Sequence, residues 1–330
     1  MVQRLDWIDR LKGFAILSVV IGHCVTDCIS SNNYPEYSVL LRMLYDIIYS
    51  FHMPLFFIIS GFVFYLSKSY KKYKIKAMDF ILIYIIWCFL MWLSKFVMAK
   101  DVNNPVTIID LFTITYKPLM VYWYLYVLIF MYMAASIIKI YVVDTRILIV
   151  SAIVAVASRM LNLDIGIANA LVYHMYFFLM GGYILQSDLL NKLNRKHCFI
   201  LIGIILINIF MYFYDIPINR ELMIVKKFLL ANVISLLCFY LLYKNNISEV
   251  LETLGVNTLQ IYVMHCFFTG GLRVIFAKIG VHNIYMYFLL GTIMGITIPI
   301  LTAKLFKNFH ILNIVFSPIN SLKKLGVIKN

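Results

Sequence analysis

Ten apolar runs of roughly 17 to 25 residues, parted by short polar clusters, leave this chain little choice of fold. They lie near 11–29, 45–67, 77–99, 119–141, 146–163, 167–187, 198–214, 223–243, 256–279 and 283–305. At about 1.5 Å rise per residue each is long enough, as a helix, to cross most or all of a hydrocarbon layer about 30 Å thick. With 63% hydrophobic and 13% charged residues and a mean hydropathy of +0.89, no arrangement in water could hide so much apolar surface. A membrane β-barrel would need alternating segments of about ten residues, and the runs do not alternate. The pattern predicts an all-α polytopic membrane protein, a bundle of about ten transmembrane helices whose backbones satisfy their own hydrogen bonds.

No linker rich in proline, glycine or serine interrupts the array, and the longest outer loops are 30–44, 100–118 and 215–222. Residues 1–330 are therefore expected to be a single transmembrane domain with no separate soluble domain, so chemistry must happen inside the bundle or at its rims. No internal repeat stands out, which counts against the common repeat-built transporters. The first run is preceded by Arg4 and Arg10 but is followed by no small-residue cleavage site, so it reads as a retained helix.

Orientation follows from charge. Counted over alternate loops, 19 of the 29 lysines and arginines fall on the side of the N-terminus, the 68–76 loop and the C-terminal tail. Positive loops stay cytoplasmic, so both termini are expected there. The same bias, with contact to anionic membrane lipids, accounts for a net charge of +14 without nucleic acid. The six cysteines sit in or at the ends of the runs without a metal-ligand spacing, so neither a disulfide nor a metal is expected.

Within the first run, Asp9, Lys12 and His23 share one stripe of a helix. Residues turn by about 100° each, which brings Lys12 and His23, eleven apart, to nearly the same face, with Asp9 within roughly 60°. Lys12 and Asp9 are at the rim, whereas His23 lies roughly 16 Å further along the axis. An ionisable group at that depth marks a functional site unless it merely bonds a neighbouring carbonyl. His52, in FHMPLFFIISGF, falls at a similar depth on the second run, two residues before Pro54. The following Ser60 and Gly61 read as packing positions. The cluster KSYKKYKIK brings Lys68, Lys71, Lys72, Lys74 and Lys76 to the inner side; it serves as an orientation signal or, beside Lys12, as a phosphate site. Tyr122 and Trp123 open the fourth run as an interfacial belt or as a wall for a sugar ring. Asn257, Tyr262 and His265 in the ninth are either polar glue between helices or contacts to substrate, while Gly291 and Gly295 read as packing. Walker and dinucleotide glycine motifs are missing, so ATP and NAD are not indicated.

These motifs, taken in order, resemble the acyltransferase-3 family of integral-membrane O-acyltransferases. The resemblance rests on D-x-x-K-G-x-x-I-x-x-V-x-x-x-H at Asp9, Lys12, Gly13, Ile16, Val19 and His23, on FHMPLFFIISGF at 51–62 and on the tryptophan element at 123–125. It continues through FFLMGGY at 177–183 and G-x-N-T-L-x-I-Y-x-x-H at 255–265. The family usually has arginine where Lys12 stands, and its arginine-rich run ending in proline is here all lysine, with Asp79 intruding.

The resemblance implies a membrane acyltransferase that takes an acyl group, typically acetyl, from cytoplasmic acyl-CoA and delivers it to a hydroxyl of a carbohydrate or lipid-linked glycan of the bacterial cell envelope, working in the plasma or inner membrane. His23 matches the family histidine and Lys12 its basic residue. The catalytic set expected is His23 as base with Asp9 and His52 in support; Lys12, Lys72, Lys74 and Lys76 would hold the donor's phosphates. Tyr122, Trp123, Asn257, Tyr262 and His265 would line the acceptor cleft. Direct transfer and an acyl-histidine relay both satisfy the sequence. The rival reading is a polysaccharide exporter or flippase with no catalytic activity, which would use the same cavity but has no need of the Lys12 to His23 stripe.

Overall fold

The computed structural model describes residues 5–31, 33–67, 70–102, 104–138, 142–162, 166–214, 217–245 and 248–327. They form helices α1 (Asp6–Ser31), α2 (Ser38–Ser67), α3 (Tyr70–Val97), α4 (Ile108–Thr113), α5 (Trp123–Ile138), α6 (Thr145–Met160) and α7 (Ile167–Gln186). After these come α8 (Leu189–Lys192), α9 (Arg195–Phe213), α10 (Arg220–Lys244), α11 (Glu249–Val256), α12 (Thr258–Ile279), α13 (Ile284–Lys307) and α14 (Pro318–Lys324). Among the described residues there is no strand. The protein is an all-helical, multi-pass membrane protein.

Nine of these helices, among the described residues, are long and apolar enough to cross a membrane, against the ten runs read from the sequence. The tenth, α6, is the exception: its 16 residues extend only about 24 Å. Its start is fixed locally, because the Asp144 carboxylate accepts from the amide of Ile147. Asn194, Asn219 and Asn283 likewise accept from first-turn amides of α9, α10 and α13. Gly280, at φ +68°, ends α12 in the left-handed conformation that suits glycine. The polar residues between apolar runs thus act as helix punctuation.

The outward surface is apolar. None of the residues of α9 is buried, and Phe199, Ile200, Leu206 and Phe213 are all more than half exposed. Water would not tolerate such a face, whereas lipid is a matching solvent for it.

The chain divides into two compact units, each assembled from three separate stretches. The first comprises Met1–Ala15, Asp46–Tyr70 and Ala135–Val256; the second comprises Ile16–Tyr45, Lys71–Ala134 and Asn257–Asn330. Most of the joins fall inside helices, α1 among them, and no linker separates the units in sequence.

In the first unit, glycines let backbones touch. A Cβ added to Gly61 would fall 1.8 Å from the Phe178 carbonyl oxygen, and one on Gly181 would fall 2.1 Å from that of Ile58, so α2 and α7 cross at van der Waals contact. Gly13 meets the Leu251 carbonyl and Gly255 the Asp9 carbonyl in the same reciprocal way, locking α1 to α11. Without a hydrophobic force between helices in lipid, such close approach is the main source of association. In the second unit, α12 pairs with α13, and Gly295 of α13 leaves room for Val20, Thr269 and His265.

Candidate functional site

The site in the second unit is built on α1 and α12. His23 projects from α1 so that its ring centroid lies 4.9 Å from that of His265, with the planes inclined at 56°. His265 is fully buried. Its Nδ1 lies 3.0 Å from the Ile261 carbonyl oxygen and 2.8 Å from that of Tyr262. Carbonyls only accept, so Nδ1 carries the hydrogen and donates it, and in the neutral ring Nε2 keeps the lone pair. That Nε2 faces the Cys266 thiol, whose sulfur is 3.3 Å away and donates to it. His23, His265 and Cys266 bring one ligand atom each within 4.8 Å of one another. Two imidazoles and a thiol can move a proton; the same donor types are those zinc accepts.

The position of His265 is set by two tyrosines. The Tyr122 hydroxyl donates to the Val263 carbonyl at 2.8 Å, and the Tyr262 hydroxyl donates to the Val121 carbonyl. Both rings are buried, and Tyr124 packs on Tyr262 at 5.6 Å between centroids. This exchange staples the start of α5 to α12, and the hydroxyls of Tyr122 and Tyr262 are directed at backbone. Trp123 opens α5, and Asn257 stands immediately before α12, where its side chain makes no capping bond.

One turn beyond the imidazoles lies a polar group with no counterpart in the sequence reading. Asp27 follows His23 by four residues on α1; Thr269 and Arg273 follow His265 by four and eight on α12, so they share the face of the histidines. The Tyr287 hydroxyl of α13 is 2.9 Å from Asp27 Oδ2 and 3.2 Å from the Thr269 carbonyl, while Arg273 Nε is 3.9 Å from Asp27 Oδ1. The signal that could have found them is the same as for His23: ionisable residues at i+4 and i+8 spacing deep within apolar runs.

The first unit holds the other residues. Asp9, buried, pairs with Lys12 one turn on, Oδ1 to Nζ 3.1 Å, and Arg10 approaches Glu252 at 3.8 Å. Lys12 therefore carries its positive charge against a carboxylate. Asp9 precedes His23 by fourteen residues in sequence, and the ion pair it makes within its own unit is with Lys12. His52 donates from Nδ1 to the Ile48 carbonyl at 2.6 Å and stands edge-on to Tyr49. A further buried histidine, His174, bonds the Ala170 carbonyl and packs on Phe57. It lies on α7 in the FFLMGGY region and was not singled out from sequence.

Of the lysine cluster, Lys72 and Lys74 are exposed at the start of α3. Lys76 instead sits among the rings of Tyr73, Phe80 and Tyr132, with Nζ 5.4 to 5.6 Å from the three centroids. Asp79, the residue that departs from the expected basic pattern, accepts from the Ile319 amide at the start of α14. Lys68 and the side chain of Lys71 lie outside the described residues.

A family model described as an acyltransferase domain, that of the acyltransferase-3 family, matches residues 5–304. No curated protein and no solved structure matches the chain.

Proposed function

The chain belongs to the acyltransferase-3 family, and on that premise we propose that this membrane acyltransferase moves an acetyl or related acyl group from acyl-CoA to a carbohydrate hydroxyl, with His23 as the general base. The observation that carries the reading is the contact of His23 with His265, whose tautomer is fixed by backbone carbonyls. An imidazole held against a second imidazole of fixed orientation is suited to take a proton near neutral pH. His23 removes the hydroxyl proton as the oxygen attacks the thioester carbonyl. The C–S bond then breaks, and the proton passes from His23 to the departing CoA thiolate, leaving an ester and free CoA.

Lys12, eleven residues earlier on α1, is assigned to the donor's phosphates; its charge is pre-oriented by Asp9. Lys72 and Lys74 remain exposed cations for phosphate or for anionic lipid headgroups. The acceptor is placed among carbohydrates or lipid-linked glycans of the cell envelope, and the enzyme in the plasma or inner membrane. Family membership favours transfer over the transport-only alternative.

The test is turnover of labelled acetyl-CoA by purified protein. His23→Gln keeps polarity but cannot take up a proton near neutral pH, and should lose about 10² to 10⁴ in transfer rate while donor binding persists. Substantial turnover by His23→Gln would remove the base assignment. Label accumulating on His23 itself without acceptor would replace direct attack by an acyl-histidine relay.

A further inference from the structure

We propose that His23, His265 and Cys266 form a three-ligand zinc site, and that zinc bound there silences acyl transfer by occupying the imidazole that takes the proton. The second clause rests on the reading of His23 as base; the first does not.

No spacing in the chain announces such a site, because His23 stands 242 residues before His265. The fold brings one donor atom of each residue within 4.8 Å of the other two, and all three residues lie in the second unit. In tetrahedral zinc coordination, Zn–N of about 2.0 to 2.1 Å and Zn–S of about 2.3 Å set nitrogen and sulfur about 3.5 Å apart. His265 Nε2 and Cys266 Sγ, 3.3 Å apart, stand at nearly that separation. Two nitrogens of such a site lie about 3.3 Å apart, so the His23 nitrogen has to travel at most about 1.5 Å, which small rotations about its side-chain torsions supply.

The surroundings of His265 are those of a metal ligand. A metal-bound imidazole characteristically donates its remaining N–H to a carboxylate or a backbone carbonyl, which fixes the ring and raises its basicity. His265 Nδ1 does so toward two carbonyls, at 3.0 and 2.8 Å, and Nε2 is turned to the thiol. His52 and His174 also bond backbone carbonyls, but among the described residues neither belongs to a group of three donors. The donor types select the metal. Two imidazoles and a thiol include no oxygen, which disfavours magnesium and calcium, whereas zinc accepts nitrogen and sulfur. Binding replaces the hydrogen bond between thiol and Nε2: the thiol releases its proton to solvent, and the thiolate and one lone pair of each imidazole turn to the metal. The thiolate cancels one of the two metal charges, as a buried site requires. His265 is fully buried while His23 and Cys266 keep part of their surface exposed, so the metal enters from their side.

The experiment uses full-length protein in detergent, free of any affinity tag, and reads metal binding separately from turnover. Cobalt(II) is titrated in as the probe, because a thiolate bound to it absorbs in the near ultraviolet by charge transfer. The band should saturate at about one cobalt per chain and be removed by zinc but not by magnesium. Cys266→Ser, which is nearly isosteric and guards against misfolding, should abolish the band. His265→Ala and His23→Gln should each weaken cobalt binding at least about 100-fold, the upper end for loss of a supporting hydrogen bond alone. Cys24→Ser, which removes the neighbouring buried thiol of α1, should leave the band unchanged. Absence of a band at saturating cobalt, a band that survives Cys266→Ser, a band lost in Cys24→Ser, or displacement by magnesium would each overturn the site. Acetyl transfer is the second readout: at a free zinc concentration about ten times the Kd, about a tenth of the rate should remain by mass action, and a chelator should restore the rest. Transfer that persists at saturating zinc, with a band that still depends on all three residues, keeps the metal site and removes His23 as base. Absence of the band, with transfer lost in His23→Gln, keeps the base and removes the metal site.

Discussion

The rings of His23 and His265 meet with centroids 4.9 Å apart, although 242 residues of chain separate them. His265 is the anchored member, because its Nδ1 is engaged by two carbonyls of its own helix. With His23 proposed as the base, His265 is assigned as a positioning residue that acts through the orientation and electrostatics of His23.

His265→Asn should therefore lower kcat about tenfold, short of the 10² to 10⁴ typical of a lost base, and leave KM for acetyl-CoA unchanged. Steady-state kinetics on purified protein decide this. A raised donor KM with full kcat would place His265 on the donor path.

Lys12→Ala leaves the Asp9 carboxylate without its cation and removes a charge assigned to CoA phosphates. We expect acetyl-CoA to bind about tenfold more weakly, which corresponds to about 1.4 kcal/mol, and Lys12→Arg to bind it normally. Titration of acetyl-CoA against each variant measures it. Unchanged affinity with lost rate would make the Asp9–Lys12 pair structural.

Gly255→Ala should sharply reduce the yield of folded protein, since its Cβ would lie 1.7 Å from the Asp9 carbonyl oxygen, and overpacking of this kind typically costs about 1 to 3 kcal/mol or more. Gly270→Ala is the control, because nothing lies within 4 Å of a Cβ there. Detergent-extracted, monodisperse protein is the readout. Equal yields from both variants would mean that α1 and α11 can separate without harm.

A cysteine at Lys72 should resist an impermeant thiol reagent in intact cells and react once the membrane is opened, as the lysine and arginine bias requires. Reaction in intact cells would reverse the orientation and with it the side from which the donor arrives.

The apolar runs fixed the helices in advance because length and hydropathy are local properties, and the ends were marked by residues such as Asp144, Asn194 and Gly280 that act within a turn or two. The Lys12 to His23 spacing was also legible, since 3.6 residues per turn settles which side chains of one helix share a face. Glycines at 61, 291 and 295 could be assigned to packing from composition alone, but not the carbonyl or side chain each one meets. What the tertiary structure decided is every pairing across helices: His23 with His265 and Cys266, Asp27 with Tyr287 and Arg273, Tyr122 with Tyr262. Cys266 read as one more small apolar residue, and Asp27 and Arg273 drew no reading from the sequence. Their meaning depends on which faces touch, and in lipid that is chosen by close backbone approach and shape rather than by hydrophobicity, which is uniform along these runs and so carries no record of the partner.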